Sequence, residues 1–514
     1  MKISFCLLAA ALLWAHGANA QESTTTAQTS NGTLEGVVEA SGIRSFKGIP
    51  FAQPPVGEFR FREPQPVRNW EGVRKAVAFG PRAMQLPLYG DMKFRSNGMS
   101  EDCLYLNVWT PAKASTERLP VLVYFYGGGF VCGDGSEYRY DGESLARRGC
   151  VTVTVNYRIG IFGFLAHPDL TKESAHHSSG NYGLLDQHAA LVWVQQNIAA
   201  LGGDPKHVTI GGESAGSNSV SAQMASPLSK GLFAAAIGES GSLLGRGTVT
   251  LAEAEKIGVS FATGLGNKSL ADLRAMSAAD LLATTSKGAR FPTVSDGYFL
   301  PKSPLAIFTA GEQQSVPLLA GWNSAEQNYM SLLGREEPTA GNYEKAVRKI
   351  YGDKADGVLA QYKATTADEV KQAGTDLSSD RFIGYNTWKW IDLHSKTGRK
   401  PVYRYLYAHP RPAPVGDPLA QPAKGAGHSW EIEYALGNLK TNMVYGWAPN
   451  DHKVSETMES YFANFIKTYD PNGGDLPPWS PLQAGAGTVM VIDVNSHSDA
   501  ELHTDRYRLL DTLN

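Results

Sequence analysis

The sequence predicts an α/β fold in which one large, mostly parallel sheet is flanked by helices, and three features of the chain predict it. Near-continuous apolar or β-branched runs at 119–126, 151–157 and 207–211 read as strands buried on both faces. The stretch 184–201 carries apolar residues at helical spacing and stops at Gly202-Gly203-Asp204-Pro205. Between the run ending at Gly211 and the Pro- and Gly-free stretch 217–224 lies Gly212-Glu213-Ser214-Ala215-Gly216, a tight junction from strand to helix.

In order, the chain opens with Lys2, an apolar stretch at 5–14 and Ala18-Asn19-Ala20, the pattern of a signal peptide (1–20) cleaved after Ala20. That run is too short to span a bilayer and no later run is long enough. Cys6 lacks the small residues that precede a lipoprotein site. A secreted or periplasmic product with no membrane span is expected. Residues 21–31, rich in Ser, Thr and Gln, read as a flexible lead-in. The segment 32–47 reads as a hairpin, 48–57 as a Pro-rich turn region, and 80–99, of mixed charge, as a surface loop. Strands are expected at 103–109 and 233–237 besides the three runs above. From 250 to 400, helical stretches such as 251–265 and 279–287 are interrupted by a strand-like 316–320, and read as a mainly helical insertion over one end of the sheet. A strand at 402–407, a helix at 455–468 and a last edge strand at 488–494 follow. No repeat or low-complexity linker divides residues 32–514, which favours a single domain.

The 514 residues suffice for a sizeable core, and 42% hydrophobic with 19% charged residues is ordinary for a globular protein. A net charge of -3 argues against nucleic acid or an anionic membrane as the main partner. Beyond the signal, Cys103, Cys132 and Cys150 remain, an odd number that leaves at least one free or paired between chains. No C-x-x-C or clustered histidine pattern accompanies them, and His176-His177 reads as a solvated loop pair, so no metal is expected.

The junction at Ser214 carries the chemistry. A G-x-S-x-G pentapeptide between strand and helix is the nucleophile elbow of α/β-hydrolases. Its glycines remove side chains that would clash where the chain reverses, and the turn lifts Oγ above the sheet. Gly127-Gly128-Gly129 directly follows a buried strand, where exposed backbone N–H groups suit an oxyanion loop upstream of the elbow. A serine hydroxyl also needs a base, and a carboxylate to orient that base. Of the 12 histidines, His428 lies in Lys424-Gly425-Ala426-Gly427-His428, whose small residues let an imidazole project into a site; a surface-loop histidine has the same local composition. Glu326 follows the strand at 316–320, where open α/β sheets carry functional groups. Asp296, in an Asp-Gly turn, and Glu431, three residues after His428, are its rivals.

Five longer motifs occur in one order: Phe46-Lys47-Gly48-Ile49-Pro50-Phe51-Ala52, Glu101-Asp102-Cys103-Leu104-Tyr105-Leu106-Asn107-Val108, the loop 127–130, Gly180-Asn181-Tyr182-Gly183-Leu184-Leu185-Asp186-Gln187, and 211–216. Together they resemble the type-B carboxylesterase family, the cholinesterase-like branch of the α/β-hydrolases, from about Gly32 to the C-terminal region. The resemblance implies hydrolysis of small-molecule carboxylic esters without metal or organic cofactor. It implies Ser214 as nucleophile, His428 as general base and acid, and Glu326 as the orienting acid. The N–H groups of Gly128, Gly129 and Ala215 would form the oxyanion hole, and Ser240 would support the triad from behind. Amide or peptide cleavage by the same triad, and non-catalytic cholinesterase-like binding, are the alternatives; binding members usually lack a triad residue, and here all three positions are filled.

Four departures from the family pattern stand out. Ala83 replaces the usual partner of Cys103, which implies a free buried thiol there. No tryptophan occurs in 83–102, which argues against a quaternary ammonium platform and acetylcholine as substrate. Gln327 stands where Gly is common, and Glu239 where Gln is usual. Lys93, Arg95 and Arg139, in loops expected near the entrance, read as solvated charge or as a bias toward acidic esters.

Overall fold

The structure, a computed structural model, describes residues 24–245, 248–416, 423–482, 487–501 and 503–513, so the expected signal peptide lies outside the described residues. Its strands are β1 Thr24–Thr29, β2 Gly32–Val38, β3 Arg44–Pro50, β4 Val73–Lys75, β5 Tyr105–Thr110, β6 Leu119–Phe125, β7 Val151–Val155 and β8 Gly203–Glu213. They continue with β9 Ala235–Glu239, β10 Thr248–Thr250, β11 Thr293–Ser295, β12 Leu318–Asn323, β13 Val402–Tyr407, β14 Thr488–Ile492 and β15 His497–Ala500. One sheet runs β1-β2-β3-β5-β7-β6-β8-β9-β12-β13-β14-β15 with β4 beside β2, while β10 and β11 form a separate pair.

From β7 to β14 every neighbour is parallel, and the antiparallel strands lie toward the two edges. The β-branched and apolar runs explain this, since β7, β9 and β12 are buried along their whole lengths, as strands covered on both faces must be. The helix Tyr182–Asn197 tightens into a 3-10 turn, Ile198–Leu201, and ends at the left-handed Gly202, where the stop signal lies. Helices Leu251–Gly264, Ala340–Tyr351, Ala367–Ser379 and Tyr385–Thr397 dominate the 250–400 segment, part of which has its own small core around Tyr343, Val347, Val358, Val370 and Leu377.

Three expectations change. Residues 24–29 are not a flexible lead-in but pair with β2; four β-branched threonines suit extended backbone, and Ala27 and Thr29 are buried. The run at 488–492 is not the edge, because the polar β15 pairs outside β14. The loop at 80–99 is not all surface: Ala83, Met84 and Gln85 are buried, and the Gln85 amide bonds the backbone of Gly133. All three described cysteines are buried free thiols.

Arg158, just past β7, is locked to Asp186 on the helix Tyr182–Asn197. Its Nε and Nη2 donate to the carboxylate at 2.8 and 2.7 Å, and its backbone N–H donates at 3.0 Å, with both residues buried. Asp186→Ala strands that cation and is expected to cost about 3–5 kcal/mol of stability. Urea unfolding reads this as a lower midpoint, and an unchanged midpoint contradicts it.

Candidate active site

The site begins with steric demands on the backbone. Ser214 sits at φ 56°, ψ −118°, at the turn from β8 into the helix Ala215–Ala225. A Cβ on Gly216 would lie 2.0 Å from the Phe125 carbonyl oxygen, and one on Gly212 would lie 2.6 Å from the Gly216 backbone, so both positions require glycine. The N–H of Ser214 donates to the carbonyl of Glu239, the last residue of β9, at 2.8 Å.

Ser214 Oγ lies 2.9 Å from His428 Nε2, and His428 Nδ1 lies 2.6 Å from Glu326 Oε2. A proton on Nδ1 facing the carboxylate leaves Nε2 to accept from the serine. The other oxygen of Glu326 accepts from Ser240 Oγ at 2.5 Å and from the Asn323 N–H at 2.7 Å. Ser214, Ser240, Asn323 and Glu326 come from the carboxyl ends of adjacent strands β8, β9 and β12, where open α/β sheets place ligands. The histidine loop is tied to the same ends: Asn323 Nδ2 donates to Gly427 O, and the Ala325 N–H to Ala426 O, at 2.7 and 2.8 Å. Phe382 packs edge-on against the imidazole at 5.0 Å.

On the other side of Ser214, Gly128 and Gly129 have φ of 105° and 63°. The Gly128 carbonyl turns inward to accept from the N–H groups of Val131 and Cys132, both at 3.1 Å. No protein acceptor among the described residues takes the N–H of Gly128, Gly129 or Ala215. All three residues line, with Ser214 and His428, one cavity of about 860 Å³ whose apolar walls include Phe130, Leu243, Ile257, Phe291 and Phe382.

The electrostatics are acidic. Buried Glu213 brings Oε1 to 3.3 Å from His428 Nε2. Burial opposes the imidazolium, but the carboxylates of Glu213 and Glu326 outweigh it and raise His428 to about 9. Burial pushes Glu213 up to about 8, with Glu431 adding and His428 opposing. A neutral Glu213 gives His428 no charge to pair with, so the two titrate as one unit and both shifts point upward. Glu239 is fully buried with Tyr124 Oη donating to it at 2.9 Å; burial, and then Glu431, hold its carboxyl well above the usual range.

The structure therefore brings Ser214, His428, Glu326 and Ser240 into one hydrogen-bonded chain beside Gly128, Gly129 and Ala215. Asp296 instead accepts N–H bonds from Tyr298 and Leu300 in its own turn. Glu431 stands behind the chain, 3.3 Å from Ser240 Oγ and bonded to Asn323. Arg95 is paired with Asp141 at 2.5 Å, Arg139 is buried against Glu137, and Lys93 is exposed off the cavity wall. Glu213, Asn323 and Phe382 are additions to the residues expected from sequence. Only Glu213 carried a signal, its place beside Ser214.

The family model described as the carboxylesterase family matches residues 23–510. The chain belongs to the carboxylesterase family. This carboxylesterase is 35% identical over 479 residues to the fumonisin B1 esterase of Sphingopyxis macrogoltabida, covering 90% of this chain and 85% of that one. To the cocaine esterase of Homo sapiens it is 33% identical over 485 residues, with 85% and 82% covered. A solved PNB esterase superposes with a TM-score of 0.81 at 30% identity, covering 95% of this chain and 99% of that one. The carboxylesterase thus has the α/β-hydrolase fold and is a carboxylic ester hydrolase.

Removing the charge of Glu213 removes a group that favours the imidazolium. In Glu213→Gln the His428 titration midpoint is expected to move down from its raised position, followed by NMR of the ring protons. An unchanged or higher midpoint overturns the assignment of the shift to Glu213.

Proposed function

We propose that this carboxylesterase cleaves small-molecule esters through an acyl-enzyme on Ser214. The observation that carries this reading is the unbroken chain Ser214 Oγ–His428–Glu326 opening on the cavity. Ser214 attacks the ester carbonyl as His428 Nε2 takes its proton and Glu326 stabilises the imidazolium. The oxyanion accepts from the N–H groups of Gly128, Gly129 and Ala215, each donor contributing about 3–4 kcal/mol. His428 then protonates the leaving alcohol, and water activated by the same base releases the acid. Ser240 holds Glu326 in place.

The apolar walls, and relatives named for substrates as unlike as fumonisin B1 and cocaine, support an ester with a bulky organic group. Among the described residues no tryptophan lines the cavity, which supports a general carboxylesterase over a choline esterase. The leader pattern before Gln21 supports export, with the chain from β1 onward acting as one catalytic domain. Among the described residues no helix is long and apolar enough to cross a membrane.

Ser214→Ala is expected to lower kcat/KM toward a p-nitrophenyl ester by roughly 10⁴-fold or more. An organophosphonate should label the wild-type protein at Ser214; intact protein left unlabelled would sink the mechanism. Activity should also rise with pH as His428 loses its proton, with a midpoint above the ordinary histidine value because the neighbouring carboxylates favour the imidazolium. A pH-rate profile flat from the histidine range into mild alkali contradicts a histidine base.

A further inference from the structure

Ser429, the residue after His428, has φ 67°, the left-handed region that favours glycine. It is held there from two sides. Arg139 Nη1 donates to Ser429 Oγ at 3.2 Å, and Arg411 Nη2 donates to the Ser429 carbonyl at 3.2 Å. Both guanidiniums are buried, and each is anchored by its own buried glutamate: Nε of Arg139 on Glu137, and Nη2 of Arg411 on Glu433 at 2.8 Å. Asn438 fixes the Arg139 backbone as well, donating from Nδ2 to its carbonyl at 2.9 Å. The second contact of Arg139 Nη1 is Asp91 Oδ2 at 3.4 Å, on a half-exposed side chain at the cavity wall.

We infer that Arg139 is a positioning residue for His428 and acts through Ser429. An L-residue left to itself leaves the left-handed region. If Ser429 relaxed, the preceding peptide would rotate, and with it the imidazole that must face Ser214 on one nitrogen and Glu326 on the other. The hydrogen bond to the hydroxyl gives Ser429 a reason to stay, and a planar, buried guanidinium supplies it from a fixed direction. This takes Arg139 out of any role as a free entrance charge. The inference rests on the reading of His428 as the general base.

The test separates conformation from chemistry by choice of side chain. Ser429→Ala loses the acceptor and keeps the Cβ that disfavours the left-handed region, so kcat should fall roughly ten- to hundredfold with KM unchanged. Ser429→Gly also loses the acceptor, yet adopts this φ without cost and should hold kcat close to wild type. Arg139→Lys keeps a cation for Glu137 but loses the fork geometry that reaches Ser429; it should lower kcat in the wild-type background and add little to Ser429→Gly. Thermal melts accompany each variant, and if Arg139→Lys does not fold, the Ser429 pair decides alone. The inference is overturned if Ser429→Ala keeps the wild-type kcat, if Ser429→Gly is as damaged as Ser429→Ala, or if Arg139→Lys is equally harmful in both backgrounds. A His428→Ala control of undiminished activity would instead sink the reading of the base itself.

Discussion

Ser214 holds a backbone conformation that costs an L-residue of order 1–3 kcal/mol, and the rest of the site depends on the sheet over-determining it. Its N–H is fixed by the Glu239 carbonyl and its own carbonyl accepts from the Asn218 N–H at 2.9 Å. Gly212 pairs in register with Phe125 of β6 and Gly238 of β9, so the elbow is clamped between two parallel neighbours. Shift that register and the serine moves with it. The loop after β6, the Ser240 turn after β9 and the Glu326 turn after β12 leave the same end of the sheet, which is why residues far apart in the chain converge on one oxygen.

Behind the serine the protein concentrates buried carboxyl groups. Glu213, Glu239, Glu326 and Glu431 are all at most 2% exposed. Glu326 takes hydrogen bonds from the imidazole, a serine and a backbone N–H, whereas burial pushes the other three upward. Such surroundings favour a cation on His428. In the proposed mechanism His428 is a cation while the oxyanion exists, and the same carboxyl groups stabilise that cation. The same field makes the imidazolium of the free enzyme harder to deprotonate, which opposes activity on the acid side.

Much of the fold was legible because its signals are local. Apolar, β-branched or aromatic runs revealed β6, β7, β8 and β13, and Gly202 marked where the long helix stops. β1 and β15 were not legible: one is threonine-rich, the other is polar and exposed, and each is a strand because a partner strand lies alongside. Composition reports how well a segment buries itself, and edge strands bury little.

In the site, the pentapeptide and the triple glycine were readable from the sequence itself, since close backbone approach tolerates no side chain there. From its residues alone the sequence determined that a serine sits on a strained turn at the end of a buried strand, with a glycine loop upstream. Which histidine and which carboxylate meet it lay beyond local pattern. His428 bonds Ser214 across 214 positions and Glu326 across 102, and Asp296 and Glu431 stood as rivals to Glu326 that the tertiary structure turns, one into its own loop and the other behind Ser240. Spacing along a chain sets helix and strand periodicity, but distance between loops is set by how the sheet stacks, and only the folded protein contains that information.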